Sequence, residues 1–291
     1  MTALMTALTA TQNRTIASLH TAFRTLEGDG FEVRRAIPSR AYEAIGPFIF
    51  LDQFGPIDVA PGEAKGASAH PHAGIETLTL LLEGRMEHKD SLGNISAMGP
   101  GEVQWMRAGR GIIHDEAPDA ILRKEGGRQH GVQLWINMPK GEKHADPAYR
   151  HVTRHDIPLL PAASGTVRLV AGTVGGLTGP VRTSGHPFVV HASLPSGGAL
   201  DLDASVPQEL ALYVMTGAAA IDGQTVEPGQ LARLTSGEAV HLTTAPGTEL
   251  LLVGGDPLDA PIVRHGPFVM NTIAELEQAV RDYSAGRMGH I

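Results

Sequence analysis

The chain has 291 residues, a formal net charge of −8 and no cysteine. A negative net charge without a run of Lys or Arg excludes autonomous binding to a nucleic-acid backbone. The lack of thiols excludes a thiolate zinc site. No apolar stretch of about 18 residues occurs, so we expect no transmembrane helix and no membrane partner. The apolar fraction of 42% is enough for the cores of two ordinary domains.

The first segment, residues 1–27, is predicted to be a flexible tail with at most a short helix. Residues 1–23 lack acidic side chains and are rich in Thr and Ala, but they lack the continuous apolar segment of a secretory signal. The absence of Cys is compatible with a reducing compartment. We therefore expect a cytoplasmic protein whose first folded domain spans residues 28–148.

Two short motifs in this domain carry ligand chemistry, His70-Pro71-His72 and His114-Asp115-Glu116. In an extended strand, side chains at i and i+2 share a face, so each motif can direct two ligands at one point. Three imidazoles and a carboxylate suit Fe, Mn, Co, Ni, Cu or Zn and leave open positions in an octahedral site. The alternative is a set of unconnected histidines, but two such pairs favour a metal site.

The segment between the motifs is typical of β-structure. Thr77–Leu82 is a β-branched and aliphatic run, and turns are predicted at Ser91–Asn94 and Gly99–Glu102. Val103–Met106 then predicts another strand, followed by the glycine-rich Ala108–Gly111. We expect a small barrel whose interior holds the metal.

The second half resembles a repeat of the first. A linker with one helical turn is predicted at residues 149–160, in a segment rich in Pro, His and charge. Within the following domain, residues 161–291, Leu210–Gly217 echoes Leu78–Gly84 and Val226–Gln230 echoes Met98–Glu102. This copy has no H-x-H pair, so we assign it no metal.

The C-terminal segment predicts a helix. Asn271-Thr272 followed by Glu275 is a capping-box pattern. Ile273, Leu276, Val280 and Tyr283 then follow helical spacing. We expect this helix to pack against the second domain and not to take part in chemistry.

Several of these segments together resemble the pirin family of the cupin superfamily. The resemblance extends from about Gly28 to Gly289, and it implies an all-β bicupin fold: two β-barrel domains in one chain with a short C-terminal helix. It is carried by 46–56, 70–77, 82–84, 88–94, 99–106, 109–116, 133–139, 254–258 and 266–272.

The chain departs from the family pattern beside the metal motifs. Ala73-Gly74-Ile75 stands where family members commonly have Arg-Gly-Phe, which bears on substrate fit. Asp115 stands where a small residue is usual, and by strand alternation it points away from the metal. Glu76 shares a strand face with His72 and is expected to orient an imidazole, since the family pattern uses Glu116 as the ligand.

The resemblance implies a metal-dependent quercetin 2,3-dioxygenase acting on a flavonol and O₂. His70, His72, His114 and Glu116 would hold one divalent transition metal, with Fe(II) expected ahead of Mn, Co, Ni, Cu or Zn. Glu116 would either stay bound or accept the proton of the substrate hydroxyl. The alternative is a non-enzymatic metal or redox sensor that regulates transcription or a metabolic enzyme through protein contacts. In either case we expect a monomer.

Overall fold

The structure, a computed structural model that describes residues 12–183 and 185–291, consists mainly of antiparallel strands. Its first twelve strands are β1 (Ile16–Thr21), β2 (Phe23–Glu27), β3 (Phe31–Ile37), β4 (Phe48–Val59), β5 (Ala67–His72), β6 (Ile75–Glu83), β7 (Met86–Asp90), β8 (Ile95–Met98), β9 (Val103–Arg107), β10 (Ile112–Pro118), β11 (Gly127–Asn137) and β12 (Ala148–Val152). The remaining strands are β13 (Leu159–Leu160), β14 (Thr166–Ala171), β15 (Thr173–Val174), β16 (Leu177–Thr178), β17 (Phe188–Leu194), β18 (Gly198–Asp203), β19 (Glu209–Thr216), β20 (Ala219–Ile221), β21 (Gln224–Val226), β22 (Gln230–Leu234), β23 (Ala239–Thr244), β24 (Thr248–Gly255), β25 (Val263–His265) and β26 (Phe268–Met270). The described helices are α1 (Ala120–Glu125) and α2 (Ile273–Ser284).

Each half of the chain pairs a seven-stranded sheet with a four-stranded one. The larger sheets have the orders β12-β9-β6-β11-β4-β3-β2 and β1-β22-β19-β24-β17-β14-β13. The smaller sheets have the orders β5-β10-β7-β8 and β18-β23-β20-β21. The two halves therefore correspond strand for strand, and the predicted repeat and all-β bicupin architecture are confirmed.

The edge strands do not follow the predicted domain boundaries. β1 pairs with β22 in the second half, and β2 pairs with β3 in the first. The prediction of a flexible tail is therefore wrong for residues 16–27, whereas residues 1–11 lie outside the described part. β12 pairs with β9, so the predicted linker begins with a strand of the first domain. The larger sheet of the second half is thus completed by a strand from the N-terminal segment, and that of the first half by a strand from the predicted linker.

Strand alternation gives the larger sheet of the first half two functional faces. Val132 and Leu134 of β11 lie in a core shared with Tyr213 and Leu251 of the second half. The intervening Gln133 lines a cavity on the opposite face. Because successive side chains of a strand point to opposite faces, one sheet both joins the domains and forms a wall of the site.

The C-terminal helix begins as its capping pattern predicts. The side chain of the N-cap Thr272 accepts from the Glu275 backbone N–H, and Glu275 accepts in return from the Asn271 N–H at 2.8 Å. Leu276 packs with Phe268 of β26 in a small apolar cluster. In the described part of the chain, no helix is both long and apolar enough to cross a bilayer.

Candidate metal centre and cavity

The two histidine motifs lie on neighbouring strands of one sheet. β5 carries His70 and His72, β10 carries His114, and His70 is paired directly opposite His114. The predicted convergence of these imidazoles is confirmed, since ligand atoms of all three lie within 4.8 Å of one another. They form a group that could hold a metal ion.

The imidazole nitrogens of this group are arranged as metal ligands. Nε2 of His70 lies 3.1 Å from Nε2 of His72 and 3.0 Å from Nε2 of His114. The Nδ1 atoms of His70 and His72 face the carbonyls of Ser68 and Pro267 at 2.8 and 3.1 Å. Because a carbonyl only accepts, both Nδ1 atoms carry the proton, and each neutral ring directs a lone pair from Nε2 to the shared centre. Such separations match neighbouring ligands on an ion with bonds of about 2.1 Å.

Burial keeps the rings of His72 and His114 neutral. His72 and His114 are 1% and 0% exposed. Burial, with the neighbouring His70 adding to it, lowers the pKa of His72 to about 3 and holds that of His114 well below its ordinary value. A neutral imidazole is the form that binds a metal, so the donor set fits a divalent transition metal at neutral pH.

Glu116 lies on β10 beside this group but is displaced from it. The register between β10 and β5 shifts after His114, so that Glu116 pairs with Ala67. Its carboxylate accepts hydrogen bonds from Thr79 and from Gln133, which fix both oxygens. It forms a second candidate group with His114 and His88, in which ligand atoms again lie within 4.8 Å. The two groups share His114.

His88 is a residue of the site that sequence reasoning missed. It is paired directly opposite Glu116, is 1% exposed and donates from Nε2 to the Asp90 carboxylate at 3.0 Å. Its ring stacks on Tyr149 with centroids 4.1 Å apart. The H-x-D spacing of His88 and Asp90 was the available signal, because it places both on one strand face.

Glu76 makes a different contact from the one expected. Trp105 donates its indole N–H to Glu76 at 3.1 Å. The backbone carbonyls of Ser68 and Pro267 instead fix the orientations of His70 and His72. The hairpin of β25 and β26 therefore takes part in the site through Pro267.

The departures at Ala73 and Ile75 lie away from the cavity wall. Both side chains are 0% exposed and pack in apolar clusters. Between them Gly74 has a φ of +74°, and a Cβ there would come within 2.0 Å of the Val269 carbonyl. Glycine is thus required for the close approach of the β5–β6 turn to β26.

A cavity of about 700 Å³ reaches the metal group from solvent. His70, His72 and Glu116 lie on its wall. Exposed rim residues include Lys65, Ser68 and Arg264, so the cavity is open. The apolar side chains that line it are Phe31, Val33, Phe50, Phe54, Met86 and Trp135.

An ion-pair cluster also lines this cavity. The guanidinium of Arg35 donates to both oxygens of Asp52 at 2.9 and 2.7 Å and pairs with Glu27 as well. The Asp52 side chain is only 4% exposed. Burial raises the pKa of Asp52 to about 6, although Arg35 opposes the shift.

This shift predicts a pH-dependent contribution of Asp52 to stability. The folded-state pKa of about 6 exceeds the ordinary 3.8, so from pH 4 to 6 the folded state keeps a proton that the unfolded state has released. Stability from this group falls as the pH rises through that window. We expect the unfolding free energy of wild type, minus that of Asp52→Asn, to fall by about 2 kcal/mol between about pH 4 and pH 7. Urea denaturation at a series of pH values measures it; a constant or growing difference would contradict the shift.

Comparison with known proteins identifies the family. The family profile described as Pirin matches residues 30–136, and that of the Pirin C-terminal cupin domain matches residues 189–289. A Pseudomonas aeruginosa protein named "Putative quercetin 2,3-dioxygenase" is 38% identical over 89% of this chain and 93% of its own length. Mouse pirin is 34% identical, with 90% of each chain covered. A crystal structure of quercetin 2,3-dioxygenase from Acinetobacter baumannii matches with a TM-score of 0.87 and 31% identity, covering 96% of this chain and 99% of that one. The chain therefore belongs to the pirin family of cupin proteins.

Proposed function

We propose that this protein is a mononuclear metal-dependent dioxygenase acting on a flavonol-type substrate. The observation that carries the proposal is the open cavity of about 700 Å³ that reaches His70, His72 and Glu116. A sensor needs only a closed metal site and a contact surface, whereas an enzyme needs a path for substrate to the ion. The similarity to proteins named as quercetin 2,3-dioxygenases supports the same activity.

We assign His70, His72, His114 and Glu116 as the ligands of one divalent transition metal, with Fe(II) as the expected ion. Three neutral imidazoles and a carboxylate give a nitrogen and oxygen donor set suited to such an ion. When bound, the ion would lower the pKa of a coordinated substrate hydroxyl and provide the electron-transfer chemistry for O₂. The offset of Glu116 toward His88 makes it the ligand that must move furthest to complete this set.

The chain's own residues supply binding and proton handling. Glu116 lies on the cavity wall, so its carboxylate is available to accept the proton of a substrate hydroxyl. Thr79 and Gln133 donate to it and limit its movement. Phe50 and Trp135 are stacked on each other with centroids 4.3 Å apart, and both line the cavity, where they add apolar surface for an aromatic substrate.

Aerobic turnover of quercetin tests this function. Protein of known metal content, reconstituted separately with Fe(II), Mn, Co, Ni or Cu, is expected to remove the flavonol absorbance with at least one ion. His70→Ala should abolish that loss because it removes the central imidazole of the group. Stoichiometric metal with no turnover by any ion would contradict the flavonol oxygenase and favour the regulatory alternative.

A further inference from the structure

A row of polar side chains crosses the floor of the cavity. Thr79 of β6 is paired with Gln133 of β11, Gln133 with Asp52 of β4, and Asp52 with Arg35 of β3. All four line the cavity. Neighbouring strands lie about 4.8 Å apart, so Arg35 stands roughly 10 Å from Gln133 along this row. The row begins at the carboxylate of Glu116, to which Thr79 and Gln133 donate.

Apolar side chains flank the polar row on both sides. Phe50 and Trp135 form one band, and Val33 and Phe54 form the other; each lies two residues along its strand from a member of the row. The ring of Trp135 meets the His72 imidazole edge to face at 5.0 Å, and it stacks on Phe50 at an interplanar angle of 11°. A ligand that follows the polar row from the metal group to its far end therefore meets apolar side chains on both sides of the row.

The far end of the row is a partly buried acidic cluster. The Arg35 side chain is 17% exposed, lies 4.4 Å from the Phe50 ring centroid and is shared by Glu27 and Asp52. Two carboxylates on one guanidinium leave a net negative charge and unused acceptor lone pairs. Removing these charged groups from water costs free energy, so the cluster contributes little to stability. Ligand sites, by contrast, commonly hold a few precisely placed polar groups on an apolar wall.

We propose that Asp52 and Glu27, held by Arg35, form a distal subsite that accepts hydrogen bonds from hydroxyl groups of the substrate. This inference rests on the proposed function, because that function places the opposite end of the substrate at the metal group. The substrate class is a planar phenol whose hydroxyl donors reach the two strands beyond Gln133, up to roughly 10 Å from that residue along the row. The net negative charge of the cluster disfavours anionic substituents at the same position.

Binding of three flavonols tests the subsite. Quercetin, kaempferol and galangin share one ring system and differ in carrying two, one and no hydroxyl groups on the pendant ring. Affinities are measured without O₂ at pH 7.5 from the quenching of tryptophan fluorescence, to which Trp135 in the cavity wall contributes. We expect wild type to bind quercetin at least tenfold more tightly than galangin, because hydrogen bonds to charged acceptors discriminate by about that factor.

Asp52→Asn should reduce this preference to about twofold and leave galangin binding within about twofold of wild type. Glu27→Gln, at a side chain 39% exposed, should weaken the preference in the same direction with less risk to folding. Glu32→Gln is the matched control, because Glu32 lies on β3 next to Val33 and pairs with Arg24, away from the cavity. It should bind all three flavonols as wild type does.

Equal affinity of wild type for the three flavonols, or an equal loss for all three in both variants, would overturn the subsite. Turnover is measured separately in the same preparations. Hydroxyl-dependent binding without turnover would leave the subsite standing and contradict the oxygenase. Turnover of all three flavonols, with a binding preference that is unchanged in Asp52→Asn and Glu27→Gln, would support the oxygenase and contradict the subsite.

Discussion

His114→Ala is expected to abolish metal retention. The residue is 0% exposed, its Nε2 lies 3.0 Å from that of His70, and it belongs to both candidate groups. Its loss therefore leaves each group with two ligands, too few to hold a transition metal through gel filtration. Elemental analysis of the filtered protein should give less than about a tenth of the wild-type content.

Two further variants distinguish the loss of a metal ligand from the loss of any other histidine. His241→Ala removes an exposed imidazole of the second half that pairs with Asp201, and it should leave the metal content unchanged. His88→Gln should retain stoichiometric metal with weaker affinity, by about 10- to 100-fold, if His88 only supports Glu116 and His114. Full metal content in folded His114→Ala would refute the assigned site, and loss of stoichiometry in His88→Gln would move the site toward the second group.

The histidine core of the site was predictable because it depends on local periodicity. The spacing of His70 and His72 fixes a common strand face without any knowledge of the fold, and the turns between the motifs follow from glycine and proline. The capping pattern at Thr272 and Glu275 is local in the same way, and the helix begins there. The pairing of the two motifs in one site was inferred from their shared ligand chemistry, and the family resemblance implies the same pairing.

The features that could not be predicted from the sequence depend on contacts between distant segments. The pairing of β1 with β22 joins residues more than 200 positions apart, and nothing in Ile16–Thr21 marks its partner. The offset of Glu116 arises from a register shift between β10 and β5, which is a property of the sheet. The role of Pro267, which accepts from His72 through its carbonyl, carries no side-chain signature at all.

The polar row on the cavity floor also depends on contacts between distant segments and was not predicted from the sequence. Arg35, Asp52, Gln133 and Thr79 come from four strands whose order in the sheet is not their order in the chain. Strands β6 and β11 taken alone show only a polar residue between apolar ones, as at Gln133 between Val132 and Leu134. The register of these strands places the four residues side by side across the sheet, next to the Glu116 carboxylate.

Lys143→Met is expected to destabilise the protein by about 3–5 kcal/mol. Lys143 is 0% exposed, and its ammonium donates to the carbonyls of Gly74 and Val269 at 2.8 and 2.9 Å and to the side chain of Asn137. Burial lowers its pKa to about 8, so it remains largely charged at pH 7. Methionine fills similar space but leaves three buried acceptors without this donor. Urea denaturation at pH 7 measures the loss.

The same substitution should also weaken metal binding. Lys143 ties the turn after His72 to β26, and the Pro267 carbonyl that fixes the His72 ring directly precedes that strand. Loosening this connection should lower metal affinity by about tenfold, the scale of effects seen when a ligand loses its orienting partner. Lys140→Met, at an exposed position three residues away, is the matched control and should change stability by less than about 0.5 kcal/mol. A loss of less than about 1 kcal/mol in Lys143→Met would mean that other donors or water satisfy the three acceptors. In that case Lys143 would not be the residue that holds the end of β5 against the hairpin of β25 and β26.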